Sequence, residues 1–356
     1  RPGRPGPYIH IKKYHWPRCG RQDDHDLMAG SCCTRLDGEL LSNVVSNVPI
    51  LFLIFNRLDT TEKVFGAIRQ ARPPRLYVAA DGPRCGREGE AERCAQVRRI
   101  TEEIDWPCEV YRLYRDENLG CKKAISSAIT WFFENEEEGI ILEDDCLPDP
   151  SFFPYCEAML EKYRNDERIM MVAGSDQSRC KRTGGPSYYF TTYFSIWGWA
   201  TWRRAWQHYD ITMSAWPEFK RRRGMRSAVK NRAMARWSES CLDLAYRGEI
   251  DTWDYQWIFA GLLNGRLSIC PSSNLISNIG YEGTHGGRGK SDQTFLGLSR
   301  ERFDVDAIVH PDKIAVDRET DRAIYQAVMK VVYPWGPLSV ADRFVWKVWL
   351  KVRGEV

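Results

Sequence analysis

This sequence of 356 residues lacks several features that mark other protein classes. No apolar run approaches the ~20 residues needed to cross a bilayer, and the longest is Val48 to Phe55. There is no basic excess of the kind that duplex binding requires, since 51 Lys and Arg face 48 Asp and Glu. Because 43% of the residues are apolar, the chain can bury a core. We therefore predict a soluble globular protein that binds no nucleic acid.

Cysteine pairs and glycosylation sites are missing as well. The twelve cysteines form no Cys-x-x-Cys pair, and no Asn-x-Ser/Thr sequon occurs. No secretory signal opens the chain as given. We expect reduced thiols and a cytoplasmic protein. A truncated amino terminus would leave the secretory lumen as the alternative.

The chain divides into four predicted regions. Residues 1–47 begin with RPGRPGP and are predicted to be an irregular extension. They also hold three histidines and three cysteines, so a zinc site is the alternative, although the spacings match no closed template. Residues 48–185 and 186–300 are expected to form two halves of the folded protein. Residues 301–356 are expected to be a helical region, and contact of this region with a membrane is a further hypothesis.

The first half alternates apolar strands with helices. Strands are predicted at 49–55, 75–80, 108–113, 139–142 and 169–173, with a helix after each of the first four. Such alternation at short loop lengths is typical of an α/β fold with a mostly parallel sheet. In the second half we predict a strand at 188–195, helices at 226–247 and 252–263, and a short strand at 267–269.

Three adjacent acids, Glu143, Asp144 and Asp145, directly follow the fourth predicted strand. Ligands of open α/β sheets bind at the carboxyl ends of the strands. Three neighbouring carboxylates repel one another, so a cation is expected to neutralise them. Oxygen ligands suit Mn²⁺ or Mg²⁺. The alternative is a solvated turn whose acids cap the helix that Pro150 opens.

The segment ILEDDCLPDPSFFPY, from Ile141 to Tyr155, resembles the metal-binding turn of GT-A glycosyltransferases. It is most similar to the Glu-Asp-Asp version found in the N-acetylglucosaminyltransferase I family and its bacterial relatives. The resemblance extends through PILFLIFNR, AADG, NLGCKKA and TWDYQW and covers about residues 48 to 290. It implies a GT-A-like α/β fold, in which a Rossmann-type sheet binds the nucleotide-sugar and a smaller mixed half binds the acceptor.

The resemblance also implies roles for residues of the donor site. Asp145 would bind the Mn²⁺ or Mg²⁺ that bridges the donor diphosphate, while Glu143 and Asp144 would hold ribose and sugar hydroxyls. Asp81 would accept from the uracil ring, or else only form the Asp-Gly-Pro turn. Arg57 would contact the base or phosphate, or else pair with the nearby Asp59.

Two further groups belong to the same implied site. Asn118 and Lys122 lie at a predicted helix start, where backbone amides favour phosphate, or where they form a plain turn. Asp254, between two tryptophans, matches the catalytic base that deprotonates the acceptor hydroxyl. Asp251 is the alternative base or the cap of the following helix.

A late histidine and two tryptophans complete the predicted site. His285 would be an additional metal ligand, or a solvated loop histidine. Trp253 and Trp257 would stack on sugar rings, or lie in the core.

The predicted activity is metal-dependent transfer of a hexose or N-acetylhexosamine from a nucleotide-sugar such as a UDP-sugar. The transfer is expected to invert the anomeric centre. The acceptor would be a glycan, a glycolipid or a protein-linked hydroxyl. A nucleotidyltransferase or other metal-dependent phosphoryl enzyme is the alternative, as is a non-catalytic carbohydrate-binding protein. A phosphohydrolase would need a nucleophilic Asp after the first strand, where Asn56 and Arg57 stand. FNRLDTTEK also lacks the Gly-rich loop usual in nucleotidyltransferases.

Two basic segments suggest contact with a membrane surface. The range Lys220 to Arg236 holds eight cations and no acid. Ala341 to Val352 places apolar residues at helical spacing, with Arg343, Lys347 and Lys351 on the opposite side. Basic amphipathic segments with Trp suit anionic lipid. The hypothesis is peripheral attachment to the cytoplasmic face of a membrane, and the alternative is a helix packed on the protein's own core.

Overall fold

The computed structural model describes residues 46–178, 184–280 and 298–332. Its strands are β1 (Ile50–Ile54), β2 (Arg75–Ala80), β3 (Glu109–Tyr114), β4 (Glu138–Glu143), β5 (Cys146–Pro148), β6 (Ile169–Ala173), β7 (Tyr188–Thr191), β8 (Trp199–Trp202), β9 (Leu267–Pro271) and β10 (Ile276–Asn278). Its helices are α1 (Leu58–Ala71), α2 (Glu90–Ile100), α3 (Gly120–Asn135), α4 (Phe152–Tyr163), α5 (Arg203–Trp206), α6 (Trp216–Arg221), α7 (Gly224–Ala228), α8 (Arg232–Tyr246), α9 (Asp254–Leu263) and α10 (Arg318–Val332). Residues 1–45 of the predicted extension 1–47, His285 and the segment 341–352 lie outside the described residues.

Eight strands form one sheet in the order β3-β2-β1-β4-β8-β6-β9-β7. β3, β2, β1 and β4 are parallel neighbours, and β9 is parallel to β6. β8 runs antiparallel to both β4 and β6, so β4 and β6 point the same way. The predicted mostly parallel α/β sheet is therefore confirmed, with β8 and the edge strand β7 as its reversed members. The sheet takes strands from both sides of residue 185.

The sequence prediction missed β8, although this strand lies at the centre of the sheet. Its residues are buried on alternating sides. Trp199 packs into the cluster on one face of the sheet, while Ala200 and Trp202 pack into the cluster on the other. A strand covered on both faces has no polar alternation to reveal it, and a short tryptophan-rich run is equally compatible with a helix.

The predicted helix 226–247 is wrong, because the structure divides it in two. Val229 adopts an extended conformation after α7. Asn231 then accepts hydrogen bonds on Oδ1 from the amides of Ala233 at 2.9 Å and Met234 at 3.2 Å. These are the bonds of an N-cap residue, so α8 begins afresh after Asn231.

Helices cover both faces of the sheet, and α9 is tied to it by tryptophans. Trp199 stacks on Trp253 with ring centroids 5.6 Å apart and lies 5.5 Å from Trp257. On its outer side, α9 contributes Phe259 to a separate apolar cluster with α6, α7 and α8. Helix α9 therefore lies between the sheet and three outer helices, α6, α7 and α8. Within the described residues, no helix is both long enough and apolar enough to cross a membrane.

Candidate functional site

The acidic turn lies at the carboxyl end of a central strand. Glu143 is the last residue of β4, which pairs with β1 on one side and β8 on the other. Asp144 and Asp145 form the turn into β5. Because parallel strands end at the same edge, the loops after β1 and β2 reach this turn as well.

The cation that neutralises the turn is Arg57, which follows β1. Its Nη1 donates to Asp145 Oδ2 at 2.9 Å, and its Nη2 pairs with Asp144 Oδ1. The amide of Phe55 donates to the other oxygen of Asp144 at 3.2 Å. The alternative pairing of Arg57 with Asp59 is therefore wrong, since the guanidinium faces the acidic turn instead.

A second segment closes over Asp145 from the carboxyl end of β10. The amide of Ile279 donates to the backbone oxygen of Asp145 at 2.8 Å. A Cβ at Gly280 would lie 2.4 Å from Asp145 Oδ2 and 2.8 Å from Arg57 Nη1. Position 280 therefore needs glycine so that the backbone can approach the ion pair closely.

Burial controls the protonation of this cluster. Burial raises the pKa of Glu143, and the charges of Asp145 and Asp144 raise it further. Burial also raises the pKa of Asp144, although the Arg57 guanidinium opposes that shift. The pKa of Arg57 is raised because the two carboxylates outweigh its own burial. Since arginine stays protonated, the pair of Arg57 with Asp144 is held in its ionic form.

The predicted base Asp254 lies close to the acidic turn. It begins α9, and the Thr252 hydroxyl donates to its carboxylate. Burial raises the pKa of Asp254. Its charge in turn contributes to the raised pKa of Glu143. Burial and then the charges of Glu143, Asp254 and Asp251 raise the pKa of Cys121, so this thiol lies among all three carboxyl groups.

The start of α3 binds two of the protein's own carboxylates. Asp81 accepts from the amides of Leu119 and Gly120, at 3.0 Å and 3.2 Å, and from Asn118 Nδ2 at 2.9 Å. Asp251 accepts from the next two amides, those of Cys121 at 3.0 Å and Lys122 at 3.3 Å. The amides that were expected to favour phosphate are therefore occupied by Asp81 and Asp251.

The alternative in which Asp251 caps the helix that follows it, α9, is wrong. α9 begins at Asp254 without a side-chain cap, and Asp251 binds the start of α3, which lies far away in sequence. Gly120, at φ +77°, makes room for this contact, since a Cβ there would lie 2.5 Å from Asp251 Oδ2. Asp81 accepts from the Gly82 amide at 2.9 Å, as a turn-forming aspartate does.

The two tryptophans beside Asp254 belong to the core. Trp253 and Trp257 are 2% and 0% exposed, and both pack against Trp199. The prediction that they stack on sugar rings is wrong, because a ring that is closed off by the sheet has no face open to a ligand.

A buried ion pair that the sequence did not reveal joins the loops after β1 and β2. Glu90 is 1% exposed and pairs with Arg84, whose amide also donates to Glu90 Oε2 at 2.7 Å. Asn56 Nδ2 donates to Glu90 Oε1 at 2.9 Å. The guanidinium of Arg84 also lies over the Phe55 ring, 5.6 Å from its centroid. The only signal in the sequence was an acid at the start of a helix, which usually indicates a solvated first turn.

We expect that Glu90→Gln lowers the free energy of unfolding at neutral pH by roughly 2 kcal/mol. Hydrogen bonding to Arg84 lowers the pKa of Glu90 from 4.5 to about 2. Because the folded pKa is lower than the unfolded one, this contribution is present above about pH 4.5 and disappears as the pH falls towards 2. Urea unfolding of both proteins at several pH values measures the difference.

Glu92→Gln is the matched control on the same helix. Glu92 pairs with Arg99 at 3.2 Å, but both side chains are more than half exposed. Exposed pairs contribute ~0–1 kcal/mol, so this variant should unfold almost like the parent protein. Equal stabilities of the parent and Glu90→Gln across the pH range would contradict the buried role of Glu90.

Among the described residues, no three His, Cys, Asp or Glu side chains are arranged to hold a metal ion together. Asp145 is nevertheless a carboxylate with a cation already against its Oδ2. Its side chain is 15% exposed, so an ion or ligand can reach it. Asp145 therefore offers an oxygen ligand of the kind that a divalent cation prefers, and any further ligands would come from outside these residues. His285, the other predicted ligand, lies outside the described structure.

Comparisons with known proteins give little help. No protein-family model matches the chain, and no curated protein matches it. Among solved structures, HddC from Yersinia pseudotuberculosis is similar at 9% identity and a TM-score of 0.27. The match covers 44% of this chain and 77% of that one. At that TM-score the likeness carries no argument, so only the site's own residues can support a function.

Proposed function

We propose that this protein is a metal-dependent glycosyltransferase of the GT-A type. It would transfer a hexose or N-acetylhexosamine from a nucleotide-sugar, with UDP-sugars favoured, to a hydroxyl of a glycan, glycolipid or protein-linked acceptor. The observation that carries the proposal is the meeting of Asp254 with the acidic turn. Residues more than a hundred positions apart supply carboxylates to one edge of the sheet, where the charge of Asp254 contributes to the raised pKa of Glu143.

The acidic turn would bind the donor. A bound Mn²⁺ or Mg²⁺ would offset the charge that develops on the diphosphate leaving group. Asp145 would hold this ion, and Arg57, which is 24% exposed, would remain beside it as a fixed positive charge. Glu143 would contact hydroxyl groups of the donor, and with its raised pKa it could donate as well as accept a hydrogen bond. Asp144, whose two oxygens already bond Arg57 and the Phe55 amide, would hold Arg57 in place beside the donor.

Asp254 would act as the general base. The acceptor hydroxyl must lose a proton as its oxygen attacks the anomeric carbon, and the carboxylate of Asp254 takes that proton. The Thr252 hydrogen bond orients this carboxylate. Its raised pKa makes it a better proton acceptor than an exposed aspartate. A single displacement of this kind inverts the configuration at the anomeric carbon.

Asp81 would be a positioning residue as well as a donor contact. Its carboxylate holds the chain from Asn118 to Gly120 against the end of β2. This contact fixes the start of α3, which is also held by Asp251. Asp81 and Asp251, both bonded to backbone amides, would thus hold the segment that forms one wall of the donor site. The side chain of Lys122 would then contact a phosphate of the donor.

The decisive experiment is a screen of UDP- and GDP-sugars with Mn²⁺, Mg²⁺ or a chelator, read by released nucleoside diphosphate in the presence of mixed glycan acceptors. We expect release from at least one donor, and its loss with the chelator. Release of pyrophosphate from a nucleoside triphosphate and a sugar phosphate would instead identify a nucleotidyltransferase. Tight sugar binding without turnover of any nucleotide would identify a carbohydrate-binding protein.

A further inference from the structure

The outer helices carry a set of cations that the fold leaves without acidic partners. Of the eight cations between positions 220 and 236, three are neutralised. Lys220 pairs with Asp243 at 2.5 Å, and Arg221 and Arg222 both pair with Glu218. The other five are exposed and form no ion pair within the part of the chain that the structure describes: Arg223, Arg226, Lys230, Arg232 and Arg236.

These five exposed residues lie between positions 223 and 236, at the start of α7, in α7, in the loop before α8 and in α8, and we call them together the basic surface. α7 packs against both α6 and α8, and Lys230 lies in the short loop between α7 and α8. Arg232 and Arg236 are one helical turn apart on α8, so they share a face. The basic surface therefore concentrates five positive charges on the outer side of the layer that covers α9.

We propose that the basic surface docks the protein on membranes that contain anionic phospholipid. The chain as a whole carries only +3, so the unpaired charges are a local concentration and not a general basic character. Ala228 and Val229 pack against the apolar cluster of the outer helices, so the cations lie on the exposed side of this stretch.

A second stretch of the sequence supports a lipid surface over another polyanion. Ala341 to Val352, outside the described residues, repeats the combination of spaced cations with apolar residues and includes Trp346 and Trp349. Tryptophan is enriched at membrane interfaces, whereas a polyanion in solution requires only the charges. This inference does not depend on the proposed reaction.

The test is co-sedimentation of the full chain with vesicles of phosphatidylcholine alone and with vesicles that also contain phosphatidylglycerol. We expect binding only to the anionic vesicles. Replacing Arg226, Lys230 and Arg232 by Gln should weaken that binding by about 100-fold, since each charge near the surface contributes about fivefold. Binding should also weaken as salt rises, because the Debye length falls from ~10 Å at 0.1 M to ~3 Å at 1 M.

A charge-matched control separates the basic surface from net charge. Three exposed cations form no ion pair among the described residues: Lys63 on α1, Arg87 in the loop between β2 and α2, and Arg93 on α2. Replacing these three by Gln removes the same charge and should leave vesicle binding within about threefold of the parent. Circular dichroism of both triple variants checks that they fold.

Three results would overturn the proposal. The first is absence of binding to anionic vesicles at low salt, and the second is an equal loss in both triple variants. The third is binding to heparin or DNA without binding to vesicles, which would assign the basic surface to a polyanion. Vesicle binding is measured without substrate, so its failure is distinct from failure to find a sugar donor.

Discussion

Asp145→Asn is expected to abolish turnover, by about 10³-fold or more, together with metal-dependent nucleotide binding. An amide cannot offset the charge of a divalent ion, and it cannot keep the ion pair with Arg57. The fold should survive, because Arg57 and the Phe55 amide still hold Asp144. Calorimetric titration of UDP with and without Mn²⁺ measures the binding, and a thermal melt checks the fold.

Asp149→Asn provides the control, at a carboxylate just beyond β5. Asp149 accepts from the amide and hydroxyl of Ser151, at 2.9 Å and 2.6 Å, just before α4. Its loss should cost ~1 kcal/mol of stability and leave metal-dependent nucleotide binding intact. Unchanged activity of Asp145→Asn would remove the metal assignment, whatever the behaviour of the control.

Asp254→Asn should lower kcat by ~10²-fold or more while the donor affinity stays nearly the same. The asparagine can still accept the Thr252 hydrogen bond, so the start of α9 should keep its geometry. What the variant loses is a group that can take a proton. If donor affinity falls and the turnover of bound donor persists, Asp254 is a binding residue and not the base.

Asp251→Asn is the natural comparison, since this residue was the alternative base. Among the described residues, Asp251 accepts from backbone amides of α3, and an asparagine can accept from them too, although without the charge. We expect a loss of about 0.5–1 kcal/mol in unfolding free energy and little change in kcat. A large fall in kcat with unchanged stability would transfer the catalytic role to Asp251.

The pH dependence of the proposed activity should reflect the environment of Asp254. Burial raises the pKa of Asp254, and only its ionised form can accept the proton. The rate should therefore fall on the acidic side at a pH above that of an exposed aspartate, and this limb should disappear in Asp254→Asn. A pH–rate profile with a saturating donor measures it.

The sequence by itself determined the class of the fold and the position of the acidic turn. Continuous apolar strands such as Ile50–Ile54 and Ile169–Ala173 are typical of a sheet covered on both faces. Acids directly after such a strand must lie at its carboxyl end. These inferences needed only neighbours along the chain. The same local reasoning missed β8 and joined α7 to α8, because a short buried strand and a single capping asparagine leave weak patterns.

Only the tertiary structure decided which groups meet. Asp59 was the alternative partner predicted for Arg57, because the two residues are close in sequence. Arg57 instead pairs with carboxylates 87 and 88 positions away. Asp251 binds a helix 129 and 130 positions earlier instead of the helix that follows it. The two tryptophans beside Asp254 are closed into the core by a strand that the sequence did not show. The physical reason is common to all three cases. An ion pair, a cap or a packed ring depends on distance in space, and the order of the strands sets that distance. The local pattern of residues determines only each element by itself.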